Sequence, residues 1–340
     1  MRISDQRRRS LAGAFLLLMA GASALTACGD NASSGASPTT AVVATVTTAA
    51  PSTPSAPVVF PATVKTTAGD VTVKTKPTHI VSLSPTATEI LFSIGAGPQV
   101  VAVDDQSNYP ATAPKTSLSG FKPNLESIVA EKPDLVVIQF DANGLVAGLK
   151  ALSVPVIQQP PAGTLDDAYT QMQQLGTLTG NPSGADAAIA TMRTKLDTLT
   201  RKVTKSATPL TYFHEVDNTL YTATSKTFIG QLYGLLGLTN IADSADKAGS
   251  GYPQLSSEYV VSQNPDLIFL ADAGCCAQST KTLAARPGWS GLGAIASNSV
   301  IVLDDDLSSR WGPRTPELFE TMVNAVAAHS PKPAATSAAK

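Results

Sequence analysis

The stretch Glu126-Ser127-Ile128-Val129-Ala130-Glu131-Lys132-Pro133-Asp134-Leu135-Val136-Val137 reads as a short helix, a Pro-Asp turn and a buried strand. It occurs a second time as Glu258-Tyr259-Val260-Val261-Ser262-Gln263-Asn264-Pro265-Asp266-Leu267-Ile268-Phe269, at an offset of 132 positions (126 to 258). Helical stretches alternating with short apolar runs point to an α/β fold with mainly parallel sheets. Two copies of one unit point to two lobes, each a mainly parallel sheet flanked by helices.

Outward from this repeat the same rhythm continues. Strands are expected at Ile80–Leu83, Val100–Val103, Leu135–Ile138, Val154–Ile157, Leu210–Phe213, Leu267–Leu270 and Val300–Leu303. Helices are expected at Thr86–Ile94, Leu125–Ala130, Gly144–Leu152, Phe228–Leu236, Ser257–Ser262 and Pro316–Ala328. Thr86 and Glu89 fit a capping box behind Ser84-Pro85. An edge hairpin is expected within Val58–Val73. Between the two α/β groups, Leu165 to Lys205 has apolar residues at helical spacing, interrupted at Gly180-Asn181-Pro182, and reads as a connector. The expected organisation is an N-terminal lobe over 58–160, a connecting helix over 161–206 and a C-terminal lobe over 207–329.

The N-terminus carries Arg2, Arg7, Arg8 and Arg9, then the apolar run Leu11–Met19 and small residues, the pattern of a signal peptide over 1–27. Leu25-Thr26-Ala27-Cys28-Gly29 resembles the lipobox of bacterial lipoproteins, which implies diacylglycerol on Cys28 and a membrane anchor. Removal of the leader leaves 20 basic and 25 acidic residues. Residues 28–57, rich in Ala, Ser, Thr and Pro, bury too little apolar surface to repay chain entropy and read as a tether. The tail 330–340 has similar composition.

Composition excludes several classes. A formal charge of −2 argues against a nucleic-acid partner, and three His in the chain argue against a His-rich metal cage. Gly291-x-Gly293-x-x-Ala296 matches a dinucleotide fingerprint by letters but precedes a strand instead of following one. Neither a nucleophile elbow nor a Walker loop occurs, so no enzyme activity, cofactor or resident metal is expected.

The segment His79–Gly95, the block Asn124–Val137 and the block Glu258–Leu270 resemble cluster III solute-binding proteins of ABC importers, the ferric-siderophore, haem and cobalamin group. The resemblance runs from about Lys76 to Ala328. It implies two lobes on one rigid long helix, a ligand cleft between them, and a metal chelate delivered by a monomer to a permease dimer and its ATPase subunits. It also implies one docking carboxylate per lobe, at Glu126 and Glu258. A carboxylate in a helix's first turn also simply complements the helix dipole. A surface lipoprotein using this fold for adhesion is the alternative role.

Ligands in open α/β sheets gather at the carboxyl ends of strands. That rule selects Gln106, Tyr109, Phe121, Gln139, Phe140, His214 and Glu215, and the resemblance adds Tyr252, Asp306 and Arg310. Arg310 and Trp311 together suit a planar, oxygen-rich ligand; the other reading is an internal Asp–Arg bridge. His214 is a hydrogen-bonding wall residue or an axial metal ligand. The triplet Asp304-Asp305-Asp306 reads as a solvated loop. Cys275 and Cys276 are adjacent, open to a vicinal disulfide, to free thiols or to intermolecular pairing. The scarcity of basic residues at the cleft leans the cargo toward a corrinoid over an anionic siderophore.

Overall fold

The computed structural model describes residues 56–204 and 208–329. The signal peptide, Cys28, nearly all of the tether and the tail lie outside the described residues. The N-terminal hairpin is β1 (Ala62–Thr66) and β2 (Gly69–Val73), turning at Thr67-Ala68. The first lobe then runs β3 (Ile80–Leu83), α1 (Pro85–Ser93), β4 (Val100–Val103), α2 (Leu125–Ala130), β5 (Leu135–Ile138), α3 (Leu145–Ala151) and β6 (Val156–Gln158). The connector is α4 (Leu165–Thr179) and α5 (Pro182–Thr200). The second lobe runs β7 (Thr211–Glu215), α6 (Phe228–Leu235), β8 (Thr239–Asn240), α7 (Ser257–Gln263), β9 (Leu267–Leu270), α8 (Ala273–Cys276), α9 (Thr280–Ala284), α10 (Gly293–Ala296), β10 (Val300–Val302), α11 (Asp305–Ser309) and α12 (Thr315–His329).

Both four-stranded sheets are parallel and share one topology. The orders are β4-β3-β5-β6 and β8-β7-β9-β10, so the first strand of each lobe lies between its second and third. The register repeats as well: Ile80 faces Leu135 in one sheet, and Tyr212 faces Leu267 in the other, at the spacing of the sequence repeat.

The repeated Asp has a structural task. Asp134 accepts hydrogen bonds from the Thr78 amide at 2.7 Å, the Thr78 hydroxyl at 3.1 Å and the His79 amide at 3.0 Å. Asp266 accepts from the Thr211 amide at 2.7 Å and its hydroxyl at 2.8 Å. Each Asp thus pins the start of its lobe's first strand to the turn before the third.

Because strand side chains alternate between faces, each sheet feeds two cores. Val81, Leu83, Val136 and Ile138 pack outward under α2 and α3, and Phe213, Ile268 and Leu270 pack with Trp289 on the second lobe's outer face. The inner faces differ. Ile80, Leu135 and Val137 join Tyr212, Phe269, the connector's Met172, Leu175 and Met192, and Phe319 of α12 in one continuous apolar cluster.

The interruption read at 180–182 divides the connector in two. Thr164 and Asp167 form a capping box at the head of α4. Gly180, at φ 69°, ends it in the left-handed conformation that glycine adopts without a Cβ penalty. Pro182 opens α5, and Gly184 lets that helix approach the Ile94 carbonyl so closely that a Cβ would sit 2.0 Å from its oxygen.

The capping box expected at Thr86 and Glu89 does not form. Ser84 is the N-cap of α1, its hydroxyl accepting from the Ala87 amide with Pro85 behind it. Glu89 points inward instead and is buried.

Candidate ligand site between the lobes

A cavity of about 280 Å³ lies at the carboxyl ends of both sheets. Gln139, the residue after β5, faces it from the first lobe, and Pro161 and Ala162 come from the approach to the connector. His214 of β7, Val216 and Ala271 face it from the second lobe. These positions flank the β3/β5 and β7/β9 pairs, where the strand order reverses and crossovers leave a crevice. Phe228, Ile229 and Tyr252 add an apolar side, and Ser308 to Trp311 close the end.

Five of the expected cleft residues, Gln139, His214, Tyr252, Arg310 and Trp311, therefore meet around one space. His214 is buried, and its Nδ1 lies 2.9 Å from the Tyr233 hydroxyl. Burial with no nearby counter-charge lowers its pKa from 6.5 to about 4, so the imidazole is neutral at neutral pH. The Trp311 indole N–H donates to Gln171 of α4 at 2.7 Å, which fixes the ring at the cavity wall.

Arg310 is committed to the protein. Its Nη1 donates to Glu89 Oε1 at 2.7 Å and to Asn108 Oδ1 at 3.0 Å. Its Nη2 donates to Asp306 at 2.6 Å and to the Gln106 carbonyl at 3.2 Å. Arg314 grips Glu89 side-on, at 3.0 Å from Nε and 2.6 Å from Nη2. Asn108 in turn donates to Asp306 at 2.6 Å. This clasp joins α1 and the loop after β4 to the segment between α11 and α12, so it ties the lobes together. Of the two roles open to Arg310, the internal ion pair is the one formed.

Other expected residues stand elsewhere. Tyr109 carries the Arg314 guanidinium over its ring at 4.2 Å and lines a separate groove of about 750 Å³ beside α1, α5 and α12. Glu215 is the last residue of β7, two residues past the expected strand end at Phe213. It is fully buried and pairs bidentately with Arg286 at 2.7 and 2.6 Å, which removes it from the cavity wall. Gln106 meets the clasp through its backbone, and Asp306 is a clasp member. Phe121 and Phe140 are exposed on the first lobe and do not line the cavity.

The aspartate triplet is no solvated loop. Asp304 caps α11 through the Leu307 amide, Asp305 accepts from the amides of Gly274 and Cys275, and Asp306 enters the clasp. The Asp304 cap was the sequence signal for α11, whose Ser308 and Ser309 reach the cavity.

Glu126 and Glu258 are exposed and occupy matching first-turn positions of α2 and α7, behind the N-caps Asn124 and Ser256. Hydrogen bonding to backbone and to Ser256 lowers the Glu258 pKa. Cys275 and Cys276 are both free. Among the described residues no group of three or more His, Cys, Asp or Glu side chains is placed to hold a metal ion.

A family model described as a periplasmic binding protein matches residues 80–307. The chain belongs to the periplasmic binding protein family. Within that family it is of the cluster III type that serves ABC importers: an extracytoplasmic solute-binding protein and not a catalyst. It is 30% identical over 79% of its length to an uncharacterized ABC transporter substrate-binding lipoprotein of Bacillus subtilis, covering 86% of that protein. It is 31% identical over 75% of its length to a cobalamin-binding protein of Halobacterium salinarum, covering 71% of that relative. A crystal structure described as a possible iron-binding (periplasmic solute-binding) protein of Staphylococcus epidermidis superposes with a TM-score of 0.66 at 25% identity, covering 74% of this chain and 99% of that one. For a periplasmic binding protein, two lobes of one topology around a shared cavity are the capture device.

Proposed function

We propose that this periplasmic binding protein is anchored through Cys28 and captures a metal chelate of corrinoid type for an ABC importer. The neutral wall of the inter-lobe cavity carries this reading. Arg310 is the only charged side chain among the described residues lining it, and its terminal N–H groups are taken. An anionic catecholate calls for unpaired guanidinium or ammonium groups. A ring bearing amide arms is served by Gln139, Ser308, Ser309, Tyr252 and Trp311. The cobalamin-binding relative supports the same cargo. Ligand pockets run to roughly 300–1,000 Å³, so this reading seats the chelate by one edge, with the exposed ring of Tyr252 beside it.

A second cargo, an iron chelate, is favoured by His214. Its imidazole is neutral and its Nδ1 is occupied by Tyr233, which leaves Nε2 as the nitrogen for a metal. The relative described as iron-binding points the same way.

Delivery follows from landing on a permease dimer through Glu126 and Glu258. Exposed ion pairs contribute only about 0–1 kcal/mol each, so two of them set register and still allow release.

Titration of the mature protein with cyanocobalamin, haem and ferric siderophores, followed by Trp311 fluorescence and calorimetry, tests the cargo. Sub-micromolar binding of cyanocobalamin alone supports the corrinoid, and binding of haem or a siderophore alone moves the reading to iron. Reversing both Glu126 and Glu258 to Lys is expected to abolish uptake while leaving binding intact; uptake that survives removes the docking assignment.

A further inference from the structure

We propose that Cys275 and Cys276 form a reversible redox site whose state is transmitted to the inter-lobe clasp. The two thiols are on consecutive residues, Cys275 is exposed, and its thiol donates to the Asp272 carbonyl at 3.8 Å. They sit at the end of α8, a helix of one turn, and the next residue, Ala277, is held at φ 53°, a left-handed conformation costly for a residue with a Cβ. At the N-cap of α8 the Asp272 carboxyl is buried beside Glu215. The turn bearing the thiols thus has a buried acid at its start and a strained residue at its end.

Asp305 holds the turn in place. It accepts from the Gly274 amide at 3.1 Å and the Cys275 amide at 2.8 Å. A Cβ on Gly274 would stand 2.9 Å from the same carboxylate, so the approach depends on glycine. Asp305 belongs to α11, and the next residue, Asp306, binds both Arg310 and Asn108. One short path thus runs from the thiols through Asp305 to the bonds that tie the lobes.

The chemistry is exchange with a disulfide, an oxidant class native to extracytoplasmic compartments. The neighbouring Cys276 pushes the Cys275 thiol up to about 12, so Cys276, as thiolate, attacks the oxidant and forms a mixed disulfide, expelling one thiolate. The second cysteine displaces the remaining half. Two S–H bonds are lost and one S–S bond forms; two electrons and two protons pass to the oxidant as two thiols. Neighbouring side chains of a helix diverge by about 100°, and adjacent α-carbons about 3.8 Å apart are closer than the roughly 4.4–6.8 Å of ordinary bridges. The bridge therefore unwinds α8, breaks its alignment with Asp305 and frees α11. A strained bond of this kind is readily reduced again.

The test uses the full mature chain, in reduced form and after oxidised glutathione, with a Cys275→Ser/Cys276→Ser control. Trypsin releases both cysteines in the single peptide Ala248–Lys281. The expected result is a peptide lighter by two hydrogens, restored by dithiothreitol. Amide exchange at Leu307 and Ser308 is expected to rise about tenfold on oxidation, and not in the control. Free thiols or only glutathione adducts on that peptide would overturn the redox site. A bridge that forms with unchanged exchange in α11 would overturn the transmission. Neither readout involves cargo, so both stand apart from the corrinoid reading.

Discussion

Arg310 and Glu89 meet at 2.7 Å although 221 residues separate them, and both side chains are almost wholly out of water. Glu89 also takes two bonds from Arg314. Its carboxylate is thus the point at which the end of the second lobe is fastened to α1 of the first. Removing one partner of such a group leaves uncompensated buried charge, which costs about 3–5 kcal/mol. Glu89→Ala is expected to lose that much in urea unfolding. Asp306→Asn, at a side chain 41% exposed, is expected to lose about 0–1 kcal/mol. Equal losses would mean that the clasp is solvated at both ends.

The duplicated Pro-Asp turns give a second contrast. Asp134 and Asp266 each accept at least two hydrogen bonds at the start of a central strand. Hydrogen bonds to a charged group contribute about 1.5–3 kcal/mol. Asp134→Ala and Asp266→Ala are each expected to destabilise by about 2–3 kcal/mol on that scale. Glu126→Ala and Glu258→Ala, exposed in the same repeat, are expected to stay within about 0.5 kcal/mol of the parent. Denaturant midpoints of the four variants decide it.

This division of labour within one motif explains how far the sequence could be read. Strands β3, β4, β5 and β9 have the expected limits because each is a short, fully apolar or small-residue run bounded by turns. The repeat located both lobes and gave the register spacing. The fates of Glu89 and Glu215 were hidden, since their guanidinium partners lie 221 and 71 residues away and no local pattern records such a pair. Asp304–Asp306 was misread for the same reason: three identical letters take a cap, a neighbouring turn and an inter-lobe bond. The cavity residues that were legible are those tied to strand ends, which periodicity locates directly.

Acid should act on the fold in two opposed ways. Burial lowers His214 from 6.5 to about 4, so the unfolded chain binds the extra proton in that interval. The stability this group contributes is complete above about 6.5 and is lost as pH falls toward 4. Burial instead raises Asp104 from 3.8 to about 6, and burial beside Glu215 raises Asp272 from 3.8 to about 7. For these the folded state binds the proton, so their stability is complete below 3.8 and is lost as pH rises through 6 to 7. Asp272→Asn is therefore expected to raise the urea midpoint at pH 8 relative to the parent, and to leave the acid limb unchanged. His214→Gln is expected to flatten that acid limb. Midpoints measured from pH 4 to 8 that keep the parent's profile in both variants would refute the assignment.

Gly184 sets the connector close against the backbone of the first lobe at Ile94. An added Cβ would stand 2.0 Å from the Ile94 carbonyl oxygen and 2.9 Å from its carbon, and both are backbone atoms that no rotamer change can move. Gly184→Ala gains helix propensity, worth about 1 kcal/mol in an open helix. Overpacking against a fixed neighbour costs about 1–3 kcal/mol and forces a backbone shift. The steric effect is expected to win, giving a net loss in the urea midpoint. Gly234, whose Cβ would meet nothing within 4 Å inside α6, supplies the control. There Gly234→Ala should stabilise, because only the propensity gain remains. If both alanines stabilise, α5 can move away from Ile94 at little cost, and the junction between connector and first lobe is looser than these contacts imply.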